Sequence, residues 1–229
     1  DHTCGLDTEP AITRQESDYL MAAFQYILPG LDLSQDHVVA SIAGVRPVLS
    51  KDKKEASKES REHVVWKDNG LVTVTGGKLT TFRLLAKDAL KAAGSWLPKT
   101  ETDQILYGPD KLDTTRLSAE QCLRLTGRYG TWAKDLVQNM STETCSSIGT
   151  THTLWAELCH GARREQVRHL DDLMLRRVRI GLLLPNGGMD IMDKVKGLVS
   201  PHLDWDDTRW EQEIRAYQQL WQRAYSPKP

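Results

Sequence analysis

The chain has 229 residues, of which 39% are hydrophobic and 27% charged, with nine prolines and a net charge of -1. That balance belongs to a globular chain able to bury a core, as one large domain or two small ones. It offers no global attraction to nucleic acid, and no apolar run reaches the roughly 20 residues of a membrane span.

Asp1 to Pro10 has no periodicity and reads as a loop. Thr13 and Glu16 have capping-box spacing at the start of a helix whose apolar residues, Leu20, Ala23, Phe24, Ile27 and Leu28, form a stripe expected to pack. Pro29-Gly30 stops it. His37 to Ala43 alternates and reads as a strand that runs into Gly44-Val45-Arg46-Pro47. Arg46 then sits at a strand end, where α/β folds place binding groups; a surface salt bridge is the other reading. The four cysteines, Cys4, Cys122, Cys145 and Cys159, form no C-x-x-C pair, which favours reduced thiols in a cytoplasmic setting. The chain begins with Asp rather than Met, so a piece of a longer protein is expected.

Lys51 to Glu62 holds nine charged residues in twelve and reads as a solvated loop. Arg61 closes it and leads into Val64-Val65-Trp66, then Asp68-Asn69-Gly70, then the β-branched run Leu71 to Thr75. Asn-Gly between two such runs predicts a hairpin with Arg61 at its base. The second strand breaks at Gly76-Gly77 and restarts as a helix through Leu84, Leu85 and Ala89 toward Gly94, with Thr80 or Thr81 as cap. A strand feeding a glycine turn and a helix start is suited to anions, because free N–H groups and the positive dipole end face the ligand. Lys78 adds a full charge there. An ordinary strand-to-helix connection with a surface lysine is the competing reading.

Ser95 to Thr115 reads as a linker with a boundary near Pro109, giving domains 1-108 and 109-229. Beyond it strand signals vanish. Helices are expected from Ser118 to Gly127, Tyr129 to Asn139, Leu154 to Gln166, around Leu170 to Val178, Asp190 to Leu198 and Asp206 to Tyr225. The segment His160 to Arg179 mixes arginines with acids and reads as internally ion-paired, with Asp172 and Arg176 one turn apart. His152, His160 and His169 with Cys145 and Cys159 match no zinc spacing, so no metal is expected. Trp205, Trp210 and Trp221 read as core or interface anchors. No nucleophile elbow and no G-x-G-x-x-G occur.

Four motifs in order carry a resemblance: Gly44-Val-Arg-Pro, Ser60-Arg-Glu-His, Gly76-Gly-Lys-Leu-Thr-Thr-Phe-Arg83, and His169-Leu-Asp-Asp-Leu-Met-Leu-Arg-Arg-Val-Arg-Ile-Gly181. Together the chain resembles the C-terminal half of FAD-dependent glycerol-3-phosphate dehydrogenase. Phe82 stands where that family often has tyrosine, and Val48 where leucine is common. The resemblance implies an α+β class: the end of a flavin and substrate domain, then an all-α helical cap. It implies oxidation of sn-glycerol 3-phosphate to dihydroxyacetone phosphate, with hydride passing to FAD and electrons to quinone or oxygen. Arg46, Arg61 and Lys78 would bind substrate, with Lys78 at the reacting centre. Gly76, Gly77, Lys78, Leu79 and Thr80 would wrap the flavin edge. A homodimer and peripheral contact with the inner membrane from the cytoplasm complete the expectation, with no nucleic acid. The dinucleotide motif, a further arginine and a histidine base are missing from this sequence, so the isolated chain is expected to bind FAD poorly and to be inactive. A flavin amine or amino-acid oxidase, or a non-catalytic helical interaction module, are the alternatives.

Overall fold

The computed structural model describes residues 7–45, 62–94, 112 and 115–227. The chain forms two compact units, Asp1–Glu9 with Gly44–Ile105, and Pro10–Ala43 with Leu106–Pro229. Its class is α+β, as the sequence predicts: an antiparallel hairpin beside one helix in the first unit, and helices packed on helices in the second.

In the first unit, β1 (Val64–Asp68) pairs with β2 (Leu71–Thr75), with Val64 opposite Thr75 and Asp68 opposite Leu71. Asn69 and Gly70 make the connection at φ 48° and 85°. Two left-handed residues form the primed turn whose twist matches paired strands, which is why Asn-Gly serves there. The helix α2 (Phe82–Ala93) follows and ends at Gly94, φ 114°. His63 Nε2 meets Asp88 Oδ2 at 2.8 Å and ties the base of β1 to α2. No residue of β1, β2 or α2 is fully buried. Leu79, Phe82, Leu84 and Leu90 are exposed.

The second unit opens with α1 (Arg14–Ile27), and the predicted capping box forms: Thr13 N–H donates to Glu16 Oε2 at 2.9 Å, and Glu16 N–H to Thr13 Oγ1 at 3.2 Å. Its apolar stripe does not behave as predicted. Among the described residues Tyr19, Leu20, Phe24 and Ile27 remain exposed, and α1 is held by polar bonds from Ser17 to Gln35 and from Gln25 to Leu33 instead of by a core. The strand expected at His37 to Ala43 is also absent. A 3-10 turn occupies Gln35–His37, and the extended residues after it meet a helix end, with Ser41 N–H donating to Tyr225 O at 2.8 Å. A strand needs a partner strand, and this segment has a helix terminus.

Two cores organise the rest. The helices α3 (Ala119–Tyr129) and α4 (Trp132–Gln138) enclose Leu125, Ala133 and Leu136 with Leu154. The helices α5 (Trp155–Arg164), α6 (Met192–Val199) and α7 (Asp207–Leu220) surround Leu158, Leu170, Leu173, Met174, Val195 and Trp210. The helices predicted on either side of Gln166 are separate: Gln166 adopts φ 52°, and a π-helical turn, Asp172–Arg177, follows. Trp210 and Trp221 are buried, as their spacing predicted, and Trp221 Nε1 donates to Gly181 O at 3.0 Å.

The joint between the cores is polar. Glu157 on α5 is 0% exposed. It accepts from the Arg124 guanidinium, from the Tyr129 hydroxyl at 2.8 Å and from Leu154 N–H at 2.7 Å. Burial and then the Glu157 carboxylate push the Tyr129 phenol above its ordinary range. Removing one partner of such a buried network leaves an uncompensated charge. Glu157→Ala should therefore destabilise the fold by about 3–5 kcal/mol, read by urea unfolding. A second prediction concerns Asp172. Burial pushes its carboxyl up, but N–H donors of His169 and Arg168 and the charges of Arg176 and Arg177 outweigh it and hold the value below 3.8. A depressed folded value means stability that is complete above the unfolded value and is lost as pH falls through the folded one. The stability gap between the natural chain and Asp172→Asn should be open at neutral pH and close as pH falls through and below the ordinary carboxyl range. A gap independent of pH would contradict this.

Candidate functional site

The strand β2 must hand the chain to α2 within a few residues, and the sequence does so with two glycines. Gly76 and Gly77 take φ 75° and 92°, a region where side chains are strained. Space enforces the choice as well. A Cβ on Gly76 would stand 2.5 Å from Glu62 O, and one on Gly77 would stand 2.9 Å from Leu85 Cδ1. The turn therefore rests against the base of β1 on one side and against α2 on the other. Both glycines are needed by the fold itself, before any ligand is considered.

Lys78 returns to extended backbone, and a 3-10 turn, Leu79–Thr81, leads into α2. Thr81, one of the two predicted caps, locks the corner. Its hydroxyl accepts from Lys78 N–H at 3.3 Å and donates to Lys78 O at 3.1 Å. The first N–H groups of a helical segment have no partner within it. Here those of Leu79 and Thr80 open the segment directly after Lys78 in the chain, and all three side chains are exposed. Positive charge and free donors thus share one open corner, which suits an electron-rich group or an oxyanion.

Arg46 and Arg61 lie outside the described residues, so their distance to Lys78 is not part of this geometry. Gly76, Gly77, Lys78, Leu79 and Thr80 occupy a single strand-to-helix corner. Sequence reading passed over His63 and Asp88. His63 Cβ lies 3.4 Å from where a Gly77 Cβ would stand, and the His63–Asp88 bond braces the corner from behind. Only the position of His63 just before β1 hinted at this, because its partner is 25 residues away. In the helical half the arginine-rich segment is ion-paired within the unit, as predicted: Arg163 meets Asp135 at 2.7 Å, and Arg176 bonds Asp171 and Asp172.

Comparison with known proteins bears on this corner directly. The profile of the C-terminal domain of alpha-glycerophosphate oxidase matches residues 76–210, starting at the first glycine of the turn. Glycerol-3-phosphate dehydrogenase 2 of Mycobacterium tuberculosis (strain ATCC 25618 / H37Rv) is 30% identical over 228 residues, covering 91% of this chain and 39% of that protein. Glycerol-3-phosphate dehydrogenase of Mycobacterium leprae (strain TN) is 28% identical over 229 residues, with the same coverage of 91% and 39%. Aerobic glycerol-3-phosphate dehydrogenase of Staphylococcus aureus (strain USA300) is 23% identical over 232 residues, 90% of this chain and 42% of that protein. The chain thus spans about two-fifths of the length of these relatives. No solved structure matches it.

The corner yields a paired prediction. Gly76→Ala, with its strained φ and blocked Cβ, should destabilise the first unit by about 1–3 kcal/mol and accelerate amide exchange in β2. Lys78→Gln, an exposed change, should leave that exchange untouched. Equal protection in both variants would contradict the packing described.

Proposed function

We propose that this chain, which belongs to the family of the C-terminal domain of alpha-glycerophosphate oxidase, forms one wall of the active site of an FAD-dependent oxidoreductase acting on sn-glycerol 3-phosphate. The observation that carries the reading is the exposed corner at Gly76–Thr80, where a lysine directly precedes the first N–H groups of a helix start. The fit to a flavin is good on that ground: the donors are exposed, no acid among the described residues pairs with Lys78, and the turn presents backbone rather than side chain.

The chemistry that FAD supplies when bound is acceptance of a hydride from C2 of the substrate, which becomes dihydroxyacetone phosphate. The residues of this chain bind and orient. Lys78 holds the anionic substrate and balances charge beside the electron acceptor. Arg46 and Arg61 grip the phosphate and glyceryl oxygens through forked donors. Leu79 and Thr80 offer N–H groups to the flavin edge, and Gly76 and Gly77 let it approach the backbone. A quinone acceptor, a homodimer and a peripheral position on the cytoplasmic face of the inner membrane are the finer parts of the same proposal. No helix among the described residues is long and apolar enough to cross a membrane. The isolated chain, with one wall of a site, neither retains FAD nor turns over.

The test is dye reduction by the protein that carries this chain. sn-Glycerol 3-phosphate should bleach the dye, while glycerol and amino acids should not. Lys78→Gln should lower kcat/KM by about a hundredfold, the loss of one charged contact in a water-poor site. Bleaching by an amino acid but not by glycerol 3-phosphate would transfer the chain to the amino-acid oxidase reading.

A further inference from the structure

A second cationic site lies in the helical unit. The end of α5, the loop after it and the residues before and within α7 enclose a cleft of about 740 Å³. Arg163, Arg164, Arg168 and Arg209 line it with His202, and Asp204 is its one lining carboxylate. A smaller cavity of about 120 Å³ adjoins it, sharing Arg163 and His202 and adding Asn139, Cys159 and His160. The overall charge of the chain is -1, so this concentration of guanidinium groups is local.

Two acids beside the cleft bind three of its arginines, while Asp204 lines it. Asp135 accepts from Arg163 at 2.7 Å and from Arg164 at 3.3 Å. Glu213 is held by Arg209 at 2.6 Å, by His169 at 3.0 Å and by Leu170 N–H at 2.9 Å. Donors remain over. The Arg168 guanidinium is exposed and has no side-chain partner among the described residues. Two buried polar atoms, Arg163 Nε and His160 Nδ1, have no hydrogen-bond partner among the described residues, and both belong to residues lining the smaller cavity. His160 is 4% exposed, and its Nδ1 stands 3.6 Å from Asp135 Oδ2, beyond bonding distance. A buried donor left unmade costs about 1–3 kcal/mol, and a guest that accepts from Arg163 Nε would remove that cost. Forked guanidinium donors in excess of acceptors select an oxyanion. Trp205, half-buried in the wall of the larger cleft, gives an apolar surface for the remainder of such a guest.

We infer that this cleft binds a small soluble phosphorylated molecule. Its phosphoryl group lies toward Arg163 and His202, and its organic part lies in the outer cleft along Trp205. The cleft is formed by the helical unit alone, and the inference does not depend on the flavin reading. Phosphate on a lipid headgroup shares the chemistry, and the test separates the two sources.

Calorimetric titration of the chain with inorganic phosphate should show saturable uptake that survives Lys78→Gln. Arg163→Lys should weaken it about tenfold, the size of one charge-assisted hydrogen bond. Arg168→Gln, an exposed change that leaves the fold intact, should weaken it about threefold by loss of a peripheral charge. The latter keeps the test valid if Arg163→Lys fails to fold. The inference is overturned by an absence of saturable uptake, by uptake that ignores Arg168→Gln, by uptake lost in Lys78→Gln, or by binding to phosphatidylglycerol vesicles without binding to free phosphate.

Discussion

The functional half of this chain depends on one backbone constraint: β2 must become α2 across two left-handed residues with no room for a Cβ. Gly76 is closed off by the Glu62 carbonyl, and Gly77 by Leu85 and His63. Everything chemically useful nearby follows from that packing. The turn leans on the base of β1 and on α2, and the residues that leave it, Lys78, Leu79 and Thr80, are exposed. Because Lys78 leaves the turn in extended backbone, its ammonium stands free while Thr81 holds its main chain on both sides. A glycine pair that first reads as making room for a ligand is demanded by the protein's own contacts.

The helical unit is built on a different rule. Its cores are ordinary apolar layers, but the joint between them is a fully buried carboxylate surrounded by Arg124, Tyr129 and the Leu154 N–H. Such a group adds specificity through its demand for partners rather than through area removed from water. Glu213 on α7 repeats the device, taking the Leu170 N–H shortly before the π-helical turn. The cleft rich in arginine lies next to these satisfied acids. Asp135 and Glu213 bind three of its arginines, and Arg168 is left without a carboxylate partner among the described residues.

What the sequence made legible was local. Thr13 with Glu16, Asn69-Gly70 and Gly76-Gly77 each encode their conformation within four residues, and each appears in the structure as read. What was not legible depended on a distant partner. The alternation at His37 to Ala43 carries strand character, but the segment meets the end of the last helix at Tyr225. The stripe of α1 has helical spacing, yet spacing cannot say whether anything covers it. Glu157 sits in a helix where a carboxylate normally faces solvent, and only the fold brings Arg124 to it from 33 residues away. The left-handed Gln166 and the π turn after it have no sequence signal of the ordinary kind, since neither Gly nor Pro marks them. For the candidate site, the corner from Gly76 to Thr80 was readable as a unit, whereas its brace, His63 with Asp88, was not. Arg46 and Arg61, the other cations that the sequence offers, lie outside the described residues, and their part in the site rests on the family pattern.

The central claim is that Lys78 stands at the meeting of substrate and flavin. Anaerobic rapid mixing of the flavin-loaded protein with sn-glycerol 3-phosphate tests it most directly, because loss of the oxidised flavin band reports the reductive step alone. The account predicts a fast, saturable bleaching in the natural protein and a bleaching slowed by about two orders of magnitude in Lys78→Met, with flavin content unchanged. Bleaching of Lys78→Met at the natural rate would contradict it.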